Sequence, residues 1–220
     1  MATPGTVIAF ASPKGGVGKT TAAVHLAALA AEQRLRVTVL DADANEGASR
    51  WIAQAVPAVH VERARSSADL LRAIPLLRTD CDLLIVDAPG SDSEATRAVL
   101  LRSDVAAICA GCSLLDLNAM QSALETLAVV RDIRGGPPRA IILPTRHAST
   151  RVAADALRAM QGCGEPVAPP IPTRACIADA PGQGRTAWAL DPTAAAPLRD
   201  SLTVVLDHAQ GQKQRRRARR

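Results

Sequence analysis

Short, almost unbroken apolar runs alternate with longer segments of helical spacing along most of the chain. Val7–Ala11, Val37–Leu40, Leu83–Val86, Val105–Ala110 and Ala140–Leu143 have the length and composition of strands buried on both faces. A shorter run, Val59–Val61, makes a sixth candidate. Between and after them, helical spacing predicts helices over Thr20–Gln33, Gly47–Val56, Ser67–Ile74 (capped by Ser67), Ser93–Arg102, Leu117–Arg131, Arg151–Gln161 and Pro197–Ala209. The sequence Gly135-Gly136-Pro137-Pro138 ends the longest of these, and the proline-rich run Pro166–Pro172 is irregular, with room for one last edge strand. Regular strand–helix alternation predicts an α/β fold: a mostly parallel central sheet flanked by helices on both faces. With no internal repeat and no long linker, residues 1–209 are expected to form one domain and residues 210–220 a basic, disordered tail.

Composition narrows the class. In 220 residues, 48% are hydrophobic and 21% charged, enough for one domain with a sizeable core. No signal-peptide pattern is visible and no apolar run reaches the ~18 residues of a membrane span, so a cytoplasmic protein without a transmembrane segment is expected. Five cysteines without a disulfide-like framework agree with a reducing compartment. Cys109 and Cys112 form a CxxC, which suits a redox or iron–sulfur pair, or simply the end of a buried strand and the start of a loop. The net charge is +5, but six cations fall in the last eight residues: Lys213, Arg215, Arg216, Arg217, Arg219 and Arg220. Without them the chain has 20 basic and 21 acidic groups. The basicity is an appendage, suited to nucleic acid or an anionic surface, or to a solvated end.

The richest chemistry lies between the first strand and the first helix, in Ser12-Pro13-Lys14-Gly15-Gly16-Val17-Gly18-Lys19-Thr20-Thr21. Strand, glycine turn and helix form the context of a phosphate-binding loop. Gly15, Gly16 and Gly18 let backbone N–H groups converge on an anion, and the helix start adds unpaired donors and partial positive charge. Lys19 is placed to reach β- and γ-phosphates, and the Thr20 hydroxyl to ligate Mg²⁺. The chain has three lysines, Lys14, Lys19 and Lys213, and puts two in this loop while using arginine elsewhere. An ammonium is a compact charge that fits a backbone cradle better than a planar guanidinium. Two strands end in aspartate: Asp41 and Asp43 follow the second, and Asp87 follows Leu83–Val86. Carboxylates at that edge of an open α/β sheet can hold the hydration shell of Mg²⁺ and orient a water. No Asn/Thr-Lys-x-Asp element for guanine is present, which leaves ATP as the expected nucleotide.

The pattern KGGxGK[ST][ST], with Pro13 where the ordinary loop needs glycine, resembles the deviant-loop ATPases of the ParA/MinD family, closest in look to partition ATPases of ParA type. Most of the chain shares the resemblance: Asp41-Ala42-Asp43 and Asp87-Ala88-Pro89 match its DxD and DxP, and Ile171–Arg185 matches IPxxxx[LI]x[ED]APxxG[KR]. Ala44-Asn45-Glu46-Gly47 departs from the usual Pro-Gln-Gly. The resemblance implies that Lys14 crosses an ATP-induced sandwich homodimer to touch the partner's phosphates. It implies that Asp43 positions the hydrolytic water, Asp41 supports the metal network and Asp87 holds Mg²⁺ through water. It places Thr145, Arg146 and Pro172 beside the adenine, and Arg174 and Arg185 near DNA. It further implies a slow ATPase stimulated by a ParB-like or equivalent partner protein. Non-specific duplex DNA would be bound in the ATP state, with association with the nucleoid and a role in plasmid or chromosome partition or in positioning a cytoplasmic cargo. A MinD-like surface-positioning ATPase, a conjugation accessory ATPase and an iron–sulfur carrier are the alternatives.

Overall fold

The structure, a computed structural model, describes residues 4–91 and 93–218, with side chains through residue 211. Six strands carry the fold: β1 (Thr6–Ala11), β2 (Val37–Asp41), β3 (His60–Arg63), β4 (Leu83–Asp87), β5 (Val105–Ala110) and β6 (Arg139–Pro144). They pair in the order β3-β2-β4-β1-β5-β6, every pairing parallel, so the expected α/β sheet is present and its connections are helical crossovers. The helices are α1 (Lys19–Glu32), α2 (Gly47–Ala55), α3 (Ser67–Leu77), α4 (Glu94–Arg102), α5 (Leu114–Arg134), α6 (Arg151–Gln161), α7 (Ala175–Asp179), α8 (Ala187–Leu190) and α9 (Pro192–Ala218).

Alternate side chains of the strands feed two cores. Ile8, Phe10, Val39, Ile85 and Cys109 pack under α1, α2 and α9. Val7, Ala9, Leu40, Val86 and Ile108 pack under α3, α4, α5 and α6. A sheet covered on both faces explains why its strands are continuous apolar runs. β1 sits in the middle, and its register sets Phe10 beside Asp87 while β2 sets Asp41 beside Asp87. Two sequence-distant carboxylates are thereby brought to the carboxyl edge of the sheet, next to the loop that leaves β1.

Several element ends differ from expectation. Ser66, not Ser67, caps α3, its Oγ accepting from Asp69 N at 3.0 Å. That helix also runs through Pro75, whose ring costs one backbone hydrogen bond without ending the helix. α5 starts three residues earlier than the sequence reading and ends three later, because Ser113 and Asp116 form a capping box and Gly135 (φ 65°) closes the last turn. Pro166–Pro172 forms no strand: it makes only the isolated bridges Ile142↔Val167 and His147↔Pro172 beyond β6. Pro169, Pro170 and Pro172 have no N–H to give a ladder. The short helices α7 and α8 were not anticipated, being too brief to show a period. α9 begins at Pro192 and carries Pro197 inside, and its backbone continues through Ala218 into the run expected to be disordered. Gln, Lys, Arg and Ala favour helix, and cations suit a helix C-terminus. The side chains of Lys213, Arg215, Arg216 and Arg217, and the whole of Arg219 and Arg220, lie outside the described residues. No described helix is long and apolar enough to cross a membrane.

Candidate functional site

β1 delivers its chain end into the glycine loop, and two left-handed glycines, Gly16 (φ 72°) and Gly18 (φ 94°), turn it into α1. Gly15 and Gly16 are exposed on the concave side, whereas Val17 is tucked beneath, its carbonyl accepting the Thr145 hydroxyl at 2.7 Å. Lys19 opens α1, is 6% exposed and donates its Nζ to the Lys14 carbonyl at 3.3 Å, so its ammonium points back along the loop. Gly90, after β4, completes the wall. A Cβ there would lie 3.2 Å from Lys19 Nζ and 3.3 Å from Gly15 Cα. The Asp-Ala-Pro-Gly sequence signals this glycine, but only the fold shows what it makes room for.

The Thr20 hydroxyl donates to Asp87 Oδ2 at 2.7 Å. Asp87 is 0% exposed, and its other oxygen, Oδ1, has no hydrogen-bond partner among the described residues. Burial pushes its carboxyl up to about 7, against the hydrogen bond from Thr20, and the nearby Asp41 adds to the rise. A buried carboxylate oxygen lacking a donor, beside a threonine hydroxyl, suits a hard divalent cation. No three His, Cys, Asp or Glu side chains among the described residues converge into a dedicated metal cage.

Asp41 serves differently. Its Oδ2 accepts from Ser49 N and Ser49 Oγ, both at 2.8 Å, and its Oδ1 from Asp43 N at 3.2 Å. It pins α2 and the turn after β2, so its support of the site runs through the backbone it holds. Asp43 is half-buried, and its Oδ1 accepts from Asn45 N at 2.9 Å and Asn45 Nδ2 at 3.0 Å, an Asx turn. Asn45, in the stretch that departs from the family pattern, therefore orients the carboxylate expected to handle water.

Lys14 is held within its own chain. Its Nζ meets Asp116 Oδ1 at 2.5 Å, with Lys14 40% and Asp116 13% exposed in their side chains. Asp116 Oδ2 also accepts from Ser113 N and Ser113 Oγ. Burial works against charge on Asp116, but the hydrogen bonds from Lys14 and Ser113 outweigh it and keep the carboxyl below its ordinary value. Sequence reasoning missed Asp116. The Ser-x-x-Asp cap was legible, whereas its reach to a loop 102 residues away in sequence was not.

Beside the loop opens a cavity of about 300 Å³ lined by Gly16, Gly18, Thr21, Ala22, Thr145, Arg146, Pro172, Ile177, Ala178 and Pro181 among others. Thr145, Arg146 and Pro172, the residues expected beside the adenine, line this one cavity, and Arg146 Nη1 donates to the Gly16 carbonyl at 3.2 Å. Arg174 lines the same cavity while remaining exposed. Arg185 is exposed and folds back to the Ala189 carbonyl at 2.8 Å. Cys109 is sealed in the core, its thiol pushed up by burial to about 12, and the half-buried Cys112 reaches the Thr145 carbonyl at 3.8 Å.

Comparison with known proteins adds the family. The family model for the CobQ/CobB/MinD/ParA nucleotide binding domain matches residues 8–187. The maintenance of carboxysome distribution protein A of Gloeobacter kilaueensis is 37% identical over 118 residues, 52% of this chain and 53% of that protein. The chain therefore matches over only about half the length of that curated relative. Among solved structures, a Cyanothece McdA–ATP complex superposes with a TM-score of 0.81 at 18% identity, covering 96% of this chain and 98% of the other. The septum site-determining protein MinD of Pyrococcus horikoshii, complexed with Mg-ADP, superposes with a TM-score of 0.72 at 18% identity, covering 91% and 95%. At such identities the superpositions speak for the fold alone, and the family rests on the matched residues. A glycine loop, a buried carboxylate and a base-sized cavity on this sheet are the parts such a domain requires, and the chain belongs to the CobQ/CobB/MinD/ParA nucleotide binding domain family.

Proposed function

We propose that the chain is an ATP-driven dimerising switch of ParA type. The observation that carries this reading is the pairing of Lys19 and Lys14 in one loop with the Thr20–Asp87 contact and the unpartnered Asp87 oxygen beneath it. The loop N–H groups and Lys19 hold the β- and γ-phosphates, and Thr145, Arg146 and Pro172 flank the adenine. Thr20, and Asp87 through water, would hold Mg²⁺, which when bound would neutralise phosphate charge. Asp43, fixed by Asn45, orients the attacking water, and catalysis is positioning plus charge neutralisation. Lys14 exchanges Asp116 for the phosphates of a second copy when the dimer closes. The exposed Leu114 and Leu115, 71% and 70% accessible at the head of α5, lie beside Asp116 in sequence and supply apolar surface for that closure.

The ATP dimer then binds duplex DNA without sequence preference through Arg174, Arg185 and the basic C-terminal run. An adaptor protein stimulates a slow hydrolysis that releases it, in the cytoplasm on the nucleoid. The cargo is a plasmid, a chromosome region or another cytoplasmic body; the similarity to a carboxysome distribution protein keeps the last open. Membrane insertion of the tail is disfavoured, because Gln212–Arg220 has one alanine and no larger apolar residue.

Light scattering and nucleotide titration with ATP and Mg²⁺ test the reading. Lys19→Ala should abolish nucleotide binding, Lys14→Ala should bind without dimerising, and Asp43→Ala should dimerise without hydrolysing. A wild-type protein that binds ATP and stays monomeric throughout would remove the sandwich.

A further inference from the structure

His25 takes no part in the loop and carboxylate chemistry above, yet it is bound on every side. It lies on α1 one turn after Thr21, is 0% exposed and uses both ring nitrogens. Nε2 is 2.8 Å from Ala187 N. That backbone N–H can only donate, so Nε2 accepts and the ring proton sits on Nδ1, which donates to the Thr21 carbonyl at 2.7 Å. Burial holds the imidazole down at about 4, so the ring is neutral at ordinary pH. Two indoles enclose it edge-on: Trp51 at 5.2 Å and 85°, and Trp188 at 5.0 Å and 68°. Trp51 Nε1 donates to the Arg185 carbonyl at 2.9 Å, which ties α2 to the same segment.

The cavity shares Thr21 with this cluster. Thr21 and Ala22 line it from α1, and Ile177, Ala178 and Pro181 line it from the segment that precedes Ala187 in the chain. A leucine would fill the seam between α1 and α8 but leave the buried Ala187 N–H without its acceptor. An imidazole instead makes one directional bond to each side, and so fixes a spacing. We infer that His25 is a positioning residue for the nucleotide's base: in its Nδ1–H tautomer it ties Thr21 to Ala187 and sets the width of the cavity, independently of the loop that grips the phosphates. This inference rests on the nucleotide-binding reading of that cavity.

The full chain is titrated with ATP–Mg²⁺ and, separately, with inorganic tripolyphosphate–Mg²⁺, which has phosphates and no base. Binding is followed by the emission of Trp51 and Trp188, the two tryptophans of the chain, both against His25. His25→Leu should weaken ATP by about tenfold, the scale of one lost hydrogen bond at a buried group, and leave tripolyphosphate within about twofold. His25→Gln, whose side-chain carbonyl can accept from Ala187 N–H, should recover most of the ATP affinity. Should His25→Leu fail to fold, Trp51→Phe carries the test, since it removes the indole donor to Arg185 and should give the same selective loss. Equal losses for both ligands, or no loss for either, overturn the positioning role. A wild-type protein that binds neither ligand overturns the nucleotide-binding reading itself.

Discussion

Asp87 shows how much a single residue in this site costs the fold and what it returns. A carboxylate that is 0% exposed, with one oxygen unpartnered among the described residues, opposes folding unless a cation or a proton offsets it. Asp87→Asn should therefore leave the thermal stability of the nucleotide-free protein unchanged or raised at pH 8, while Mg²⁺-dependent ATP affinity falls by roughly tenfold or more. Thermal scans and calorimetric titration with and without Mg²⁺ measure the two halves, and an undiminished Mg²⁺ dependence would take Asp87 out of the cation site. His25 is the opposite case, a titratable group kept neutral. Its value of about 4 lies below the ordinary 6.5, so as pH falls the unfolded chain takes up the proton first. The stability that follows is complete above about pH 6.5 and is lost as pH falls toward 4, by on the order of 3 kcal/mol. Denaturant unfolding across that range should show the wild type losing stability relative to His25→Gln, because Asp87, pushed up to about 7, gains stability over the same range in both proteins; parallel curves would contradict it.

At the scale of elements, the junction of β5 and α5 concentrates several demands. Gly111 follows the strand, and a Cβ there would fall 2.5 Å from Asp116 Oδ2. Asp116 closes the capping box of α5 and holds Lys14, so one displaced carboxylate loosens the helix start and the loop together. Gly111→Ala should destabilise the protein by about 1 to 3 kcal/mol, from a lost cap and a steric shift. It should also alter the ATP-induced dimer, because Lys14 loses its resting partner. Equilibrium unfolding and light scattering check both, and a variant as stable as wild type would show that the turn has room the geometry denies it. The sequence pattern placed the long elements better than their ends: α5 was legible as a helix, but its first turn depends on a cap that sits before the apolar periodicity starts. α7 and α8 escaped for a related reason, since helices of five and four residues show no period to read.

For the whole molecule, charge distribution is the distinctive property. Six of 26 cations lie in the last eight residues, leaving the remainder near neutral. If that run meets duplex phosphates, its deletion should flatten the dependence of log affinity on log salt by roughly 2 to 4, fewer than its full charge because not every side chain engages. The dependence on ATP should survive the deletion if Arg174 and Arg185 form the switched part of the footprint. DNA-binding isotherms at several salt concentrations, in ATP and in ADP, distinguish these contributions. An unchanged slope would move any DNA contact onto the folded domain.

The phosphate loop, the strand-end aspartates and the alternation that makes a parallel sheet were all determined by the sequence itself. Each is a local property: glycines set backbone angles, apolar runs set burial, and a lysine or aspartate at a strand end is placed by its neighbours in the chain. What only the tertiary structure decided is which distant groups meet. The strand order puts Asp41 and Asp87 in register, turns Asp41 into an anchor for Ser49, and leaves one buried oxygen of Asp87 without a hydrogen-bond partner among the described residues. The crossovers bring Asp116 to Lys14 and Ala187 to His25, pairs separated by 102 and 162 residues. Such contacts depend on loop closure and the packing of helices on two faces, and no periodicity along the chain encodes them.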